Sequence, residues 1–291
     1  MKYLYRAAFS LEVKRIFTKK MFILIVSCFI LSIVMWIIEY RESEKDFLYR
    51  EVVQQYVGIS NQEKINDIKN KVTYYSKILD EHTLIAEQYA KGEIREEEFQ
   101  KFITDYKDAK IYLKSYQMIR ENAIRFEKQK KTSYFLYDIK WKKIFENDVQ
   151  WIFIFMMLSL TIPYLYMDRE TKYYSMGKTY SKYSKIEWYR VLFVSCIITA
   201  LQIVWLGTEL CIIILRGSIS NIDFTACSLE KFKELPENIT LGTCLLMREI
   251  FMILKRSMDV FAVYFLSRKV NYITTAIVML VYLLISDAFI L

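Results

Sequence analysis

"MFILIVSCFILSIVMWII", residues 21–38, carries no charged residue over 18 positions. At about 1.5 Å per residue, a helix of that length reaches most of the way across a hydrocarbon core about 30 Å thick. Buried helices of water-soluble proteins rarely run so far without a charge, so the stretch reads as a membrane span. Basic residues precede it, as they would in a secretory signal. It ends, however, in Trp36, Ile37, Ile38 and Glu39, with no small-residue cleavage pattern. A retained anchor is expected.

Three further runs repeat the pattern. Residues 149–167 are uncharged, 191–215 are broken only by Glu209, and 270–286 are again uncharged. Hydrophobic residues make up 54% of the 291, and six Gly and two Pro leave few chain breakers. The expected fold is therefore an all-α integral membrane protein. Residues 241–269 have the length of a span but carry Arg248, Glu249, Lys255, Arg256 and Asp259. Offsets of 7, 8 and 11 from Arg248 put most of these charges along one side of a helix, and Lys255 and Asp259 can pair at i, i+4. Two arrangements fit: an amphipathic helix on the membrane surface, or a span whose polar stripe faces other helices.

Charge bias separates the two, because Lys and Arg collect on the cytoplasmic side. Residues 1–20 hold six basic residues and one acid, and 168–190 hold six and three. The loop 217–240 reverses this, with Lys231 and Lys233 against Asp223, Glu230, Glu234 and Glu237. A cytoplasmic N-terminus with the charged segment crossing puts both basic strips, and Arg268-Lys269, on the inside. The expected order is an amphipathic N-terminal helix (1–20), spans at 21–40, 149–167, 191–216, 241–267 and 270–290, and an extracellular domain at 41–148. The strip 168–190 is cytoplasmic and the loop 217–240 extracellular. The net charge of +8 thus sits in segments beside the lipid bilayer, where anionic headgroups are the natural partner. Nucleic-acid binding has no support.

The outer segment 41–148 is nearly neutral, with 21 basic and 20 acidic residues, and has no Cys or Pro. Ile65, Ile68, Val72, Tyr75 and Leu79, then Phe99, Phe102, Ile103, Tyr106, Tyr112, Leu113, Tyr116 and Ile119, recur at helical spacing. Gly92 in "KGE" reads as the end of one helix, with acidic residues opening the next. An antiparallel helical hairpin is expected, its aromatic stripe forming the core. The Tyr and Trp residues of 134–153 are placed at the membrane interface, where amphipathic rings are favoured.

Candidate chemistry is sparse. His82 is the one histidine and stands far in sequence from any cysteine, so no nucleophile–base arrangement is legible. The five cysteines have no C-x-x-C spacing, and no metal or other cofactor is expected. Cys227 and Cys244 flank the outer loop and could form a disulfide if that side is oxidising. Glu209 and Asp287, set in apolar runs, could line a substrate route. Gly177-Lys178-Thr179 echoes a phosphate-binding loop, but such a loop needs a glycine five residues before the Gly-Lys pair, and Lys172 is there. The chain is not expected to bind a nucleotide or to act as an enzyme.

The same strip resembles the first cytoplasmic loop of permease subunits of type 2 ABC transporters. The acidic, basic-flanked turn is Asp168-Arg169-Glu170, and the polar helix carries Gly177, Lys178 and Thr179. Basic turns at Lys182, Lys185 and Arg190 lead into the next span. "LYRAAFSLEVKRIFTKK" resembles the family's basic amphipathic N-terminal helix. "KGEIREEEF" and "YDIKWKKIF" resemble the subset with a large outer helical insertion between the first two spans. Six spans are usual there and five are counted here: either the last span is lost or the count falls short, and a degenerate or partner-dependent subunit is one expectation. The resemblance implies an ATP-driven exporter moving a peptide or amphipathic substrate. A separate cytoplasmic ATPase subunit would dock against the coupling segment 168–190 and residues 1–20, and a second permease subunit would complete a homodimer or heterodimer. The competing reading is a non-transporting membrane immunity or sensor protein whose hairpin binds a peptide.

Overall fold

The computed structural model describes residues 10, 12–129, 131–146, 149–167, 183–216 and 220–288, with the backbone alone at 183–186 and 287–288. Among these the chain is almost wholly helical, with a single two-residue antiparallel ladder. It divides into two compact units: Met1–Tyr40 with Lys143–Ser218 and Leu245–Leu291, and Arg41–Lys142 with Ile219–Cys244.

In the first unit, α1 (Lys19–Glu39) begins where Thr18 accepts a hydrogen bond from the Met21 amide, satisfying one orphan donor of the first turn. Ile25, Cys28, Ser32 and Trp36 line its one buried face. Phe22, Ile23, Val26, Ile30, Val34 and Ile38 stand exposed on the others, an apolar surface that water would not stabilise. The helix α6 (Gln150–Tyr166) is the centre of this unit, buried on nearly every side and packed on α1, on α7 (Tyr183–Leu215) and on α9 (Tyr272–Ala288). Phe29, Trp36 and Phe153 meet Trp205 edge-on at 5.1–5.3 Å between ring centres. α9 repeats the pattern of α1: Thr275, Met279 and Leu283, four apart, are buried, while Ile273, Ile277, Val281 and Ile285 are exposed.

Among the described residues three stretches are long and apolar enough to cross a membrane: Lys19–Glu39, Asp138–Tyr166 and Glu187–Leu215. α9 is apolar but shorter, and α8 (Leu241–Ser267) is long but charged.

The second unit is built on a helical hairpin. α2 (Glu44–Gln54) opens on a capping box, in which Ser43 and Asp46 exchange side-chain and backbone hydrogen bonds. α3 (Gln62–Ala90) starts at Asn61, whose side chain accepts from the Lys64 amide. It stops at Gly92, which takes φ +73°, a left-handed conformation cheap only for glycine. Glu96, Glu97 and Glu98 then open α4 (Glu96–Lys128), opposite the partial positive charge of its N-terminus. The arms of 29 and 33 residues are about 44 and 50 Å long.

The hairpin core gathers at one end, from Tyr49, Val52, Val53, Ile65, Ile68, Val72, Tyr116, Ile119 and Phe126. Toward the tip the arms are held by stacked rings, His82 on Tyr106 at 4.0 Å and Tyr89 on Phe99 at 3.9 Å. The base is closed by β1 (Gly58–Ile59) on β2 (Tyr134–Phe135), a pairing that helical periodicity does not announce. After β2 comes α5 (Asp138–Phe145). Phe135, Tyr137 and Trp141 are buried inside the protein rather than displayed as interfacial rings, and the Trp141 indole donates to Ser220 O. Trp151 stays half-exposed.

The segment 220–240 packs onto this end as two 3₁₀ turns, Ala226–Ser228 and Glu230–Phe232. Arg125 and Lys131 fasten it by donating to its carbonyls, Ser228 accepts from the Tyr134 amide, and Tyr134 stacks on Phe224. Cys227 and Cys244 do not form a disulfide: both thiols are free and buried. The Cys227 thiol lies 3.7 Å from Thr132 O and 3.4 Å from Thr225 Oγ1, contacts that hold it on the hairpin side.

Candidate functional site: charged residues inside the apolar unit

α8 carries its charges inward. Arg256 is wholly buried, and the side chains of Arg248, Glu249, Lys255 and Asp259 are 3–14% exposed. The opposite face shows Leu246, Met247, Ile250, Phe251, Leu254, Met258 and Phe265, all at least half exposed. In water this helix would be inside out; next to hydrocarbon it is the favourable orientation.

The stripe forms two clusters. At one end Arg248 Nη1 donates to Glu249 Oε1 at 2.9 Å and stands 4.0 Å from Glu209 Oε1. The Tyr40 hydroxyl donates to the same Glu209 oxygen at 3.1 Å. Glu209, an isolated charge in an apolar run by sequence, is thus joined to α1 and α8. Two turns further along α8, Asp259 Oδ2 accepts from Arg256 Nη1 at 3.1 Å, with Lys255 Nζ at 3.7 Å. Ser195 and Ser257 hydrogen bond between α7 and α8 at 2.8 Å. Gln202 on α7 and Gln150 on α6 are buried with neither amide atom hydrogen bonded among the described residues. Polar groups sealed in this way are costly, and such surplus is characteristic of functional membrane interiors.

A third cluster involves the N-terminal segment. Glu12 accepts from Arg190 Nε at 3.2 Å through one oxygen and from the Tyr164 hydroxyl at 2.8 Å through the other, with Arg15 at 3.3 Å. Tyr164 stands at the end of α6 and Arg190 near the start of α7, so one carboxylate grips both helices that flank residues 168–182. Close by in sequence, Glu187 on α7 accepts from the Tyr264 hydroxyl at 3.5 Å and stands 3.8 Å from Arg268.

Of the residues singled out in the cytoplasmic strip, Asp168, Arg169, Glu170, Gly177, Lys178, Thr179 and Lys182 lie outside the described residues. Lys185 is described by its backbone and Arg190 by its contact with Glu12. The side chain of Asp287 is likewise outside. Glu12, Tyr40 and Tyr164 were missed by sequence reasoning. Their partners lie far along the chain, 152–178 residues away for Glu12 and 169 for Tyr40, and no local pattern signals such a contact. Among the described residues no cluster of His, Cys, Asp and Glu is arranged to hold a metal ion.

Comparison with protein-family models, with curated proteins and with solved structures gave no match to this chain.

Proposed function

We propose that the chain is the membrane-spanning subunit of an ATP-driven transporter, with five spans, a cytoplasmic N-terminus and the hairpin unit outside. The inside-out burial of α8 supports its counting as a span, since a surface helix would turn Arg248, Lys255 and Arg256 toward water. α9 then returns the chain across the bilayer.

The observation that carries the transporter reading is the Glu12 clasp. It ties the basic N-terminal segment to the two helices that emerge on either side of the strip 168–182. A push applied to that strip would be delivered to α1, α6 and α7 together. Coupling of this kind requires an element whose arrangement differs between two states, and a carboxylate gripping two helix ends is suited to hold one of them. The ATPase would be a separate cytoplasmic subunit, and a second permease subunit would complete the path. The cargo on this reading is a peptide or amphipathic molecule.

The test is affinity purification in mild detergent, of wild type and of Lys178→Asp. Co-purification of an ATPase subunit that the charge reversal releases is the expected result. If wild type brings down no ATPase, the transporter reading fails, and the sensor or immunity reading takes its place.

A further inference from the structure

A cavity of about 640 Å³ opens in the hairpin unit, between α4, the start of α5 and the docked turns of 228–235. That is within the usual range of ligand sites, about 300–1,000 Å³. Its buried wall is a finished network: Tyr49 donates to Asp138 Oδ1 at 2.9 Å, Asn122 donates to the Tyr49 hydroxyl, and Lys142 pairs with Asp138 Oδ2 at 2.9 Å. Asp138 is therefore fully engaged. Arg125 is different. Its Nη2 donates only to neutral oxygens, Asn122 Oδ1 at 3.0 Å and Ser228 O at 2.6 Å. Its Nε is sealed from solvent with no acceptor, and no carboxylate among the described residues pairs with it. Burial pushes this half-buried guanidinium below its ordinary value, and the charges of Asp138 and Glu230, neither of them within ion-pair distance, offset only part of that cost.

The exposed residues around the opening add to this. Lys128 and Lys233 make no ion pair among the described residues, and Glu121, Glu230 and Glu234 face the same space. Lys131 is already spent on the carbonyls of residues 233–235. The cavity thus offers one guanidinium and two ammoniums to an anion, with carboxylates beside them for a ligand's N–H or cationic groups.

We infer that this cavity binds a peptide segment through a carboxylate, held by Arg125 with Lys128 and Lys233, while Glu121, Glu230 and Glu234 meet its N–H and cationic groups. Guanidinium–carboxylate pairing is the strongest directional contact available to such a ligand. The site stands apart from the transporter reading: a permease would use it to hold cargo, and a sensor to hold its signal.

The test uses the full chain in phosphatidylcholine nanodiscs and two pools of short N-acetylated peptides, identical except for a free or an amidated C-terminus. Equilibrium dialysis with mass spectrometry reads retention. The free-acid pool is expected to bind, with the amide pool at least about tenfold weaker, as the loss of one charge-assisted contact predicts. Lys128→Gln, at an exposed position, should weaken the free-acid pool severalfold, and Arg125→Gln about tenfold or more. Because Arg125 also anchors Ser228, Arg125→Lys is included as the charge-conserving variant. Maleimide labelling of Cys227, buried in wild type, reports whether the turns stay docked. Equal retention of both pools, retention of neither, or an unaltered Lys128→Gln with docked turns overturns the inference. So does displacement of the peptides by phosphatidylglycerol vesicles, which assigns the site to lipid headgroups.

Discussion

Leu254 lies at the midpoint of α8 and is 58% exposed, on the face opposite Arg256 and Asp259. Leu254→Asp asks what covers that face. If the helix rests with Leu254 in water, an exposed substitution changes stability by no more than about 0.5 kcal/mol. If Leu254 faces hydrocarbon, the new carboxylate costs about 2.5–3.5 kcal/mol near the bilayer centre. That is about two powers of ten in the unfolding constant. Asp259→Asn is the internal standard: it breaks a buried ion pair at 3.1 Å and costs about 3–5 kcal/mol in either environment. Leu254→Ala controls for the lost side chain. The assay is unfolding of the reconstituted protein in mixed micelles of increasing denaturing detergent, followed by tryptophan fluorescence. The expected order is wild type, then Leu254→Ala close to it, then Leu254→Asp and Asp259→Asn together far below. A Leu254→Asp midpoint equal to that of Leu254→Ala refutes the spanning reading of α8 and returns the topology to four spans.

Four further outcomes are expected. Glu12→Gln should release the N-terminal segment from Arg190 and Tyr164. The clasp is about four-fifths buried and worth about 1–2 kcal/mol, so tryptic cleavage at Lys14, Arg15, Lys19 or Lys20 should quicken about tenfold. Gly92→Ala, at φ +73°, should lower hairpin stability by about 1 kcal/mol, read as a shift in thermal midpoint. The Glu127 carboxyl is held below its ordinary 4.5 by hydrogen bonds from Lys69 and Gln62. The unfolded chain then takes the proton first, so this contribution is present above the ordinary value and is lost as pH falls through the folded one. Glu127→Gln should accordingly flatten the acid limb of an unfolding titration, and an unchanged limb rejects the assignment. The triple variant Lys255→Met, Arg256→Met and Asp259→Leu, which replaces the whole cluster, should remain as stable as wild type to within about 1 kcal/mol, whereas Asp259→Leu alone should not.

What the sequence made legible was whatever depends on neighbours a few residues apart. The uncharged run 21–38, the stop at Gly92 and the acidic opening of α4 are all local signals, and all stand where their chemistry places them. The charged stripe of α8 was legible as a stripe, because spacing fixes which residues share a face. Its direction was not, because the same spacing serves a helix facing water and a helix facing its own bundle. The ladder Gly58–Ile59 on Tyr134–Phe135, the docking of 220–240 on the hairpin and the Arg125 cavity were all hidden. Each joins segments about 75 or more residues apart, and two-residue strands are too short to carry a period. Trp141 misled for a related reason: a ring suited to an interface is equally suited to a core when its N–H finds a carbonyl, here Ser220 O.

The buried charges of the apolar unit add little net stability. Arg256 and Asp259 are desolvated almost completely, and the attraction between such partners repays little more than the cost of removing them from water. A Met and a Leu in their places would fill the same volume without that cost. A like cost attends Gln150 and Gln202, whose amides are sealed without hydrogen bonds among the described residues. A bundle needing only to persist in a membrane has no use for this set. Sealed amides such as those of Gln150 and Gln202 are stabilised when a second arrangement, a bound ligand or entering water supplies hydrogen-bond partners. On the transporter reading proposed above, an interior that is polar where it contacts itself and apolar where it is exposed is where a change of state across the bilayer would find those partners.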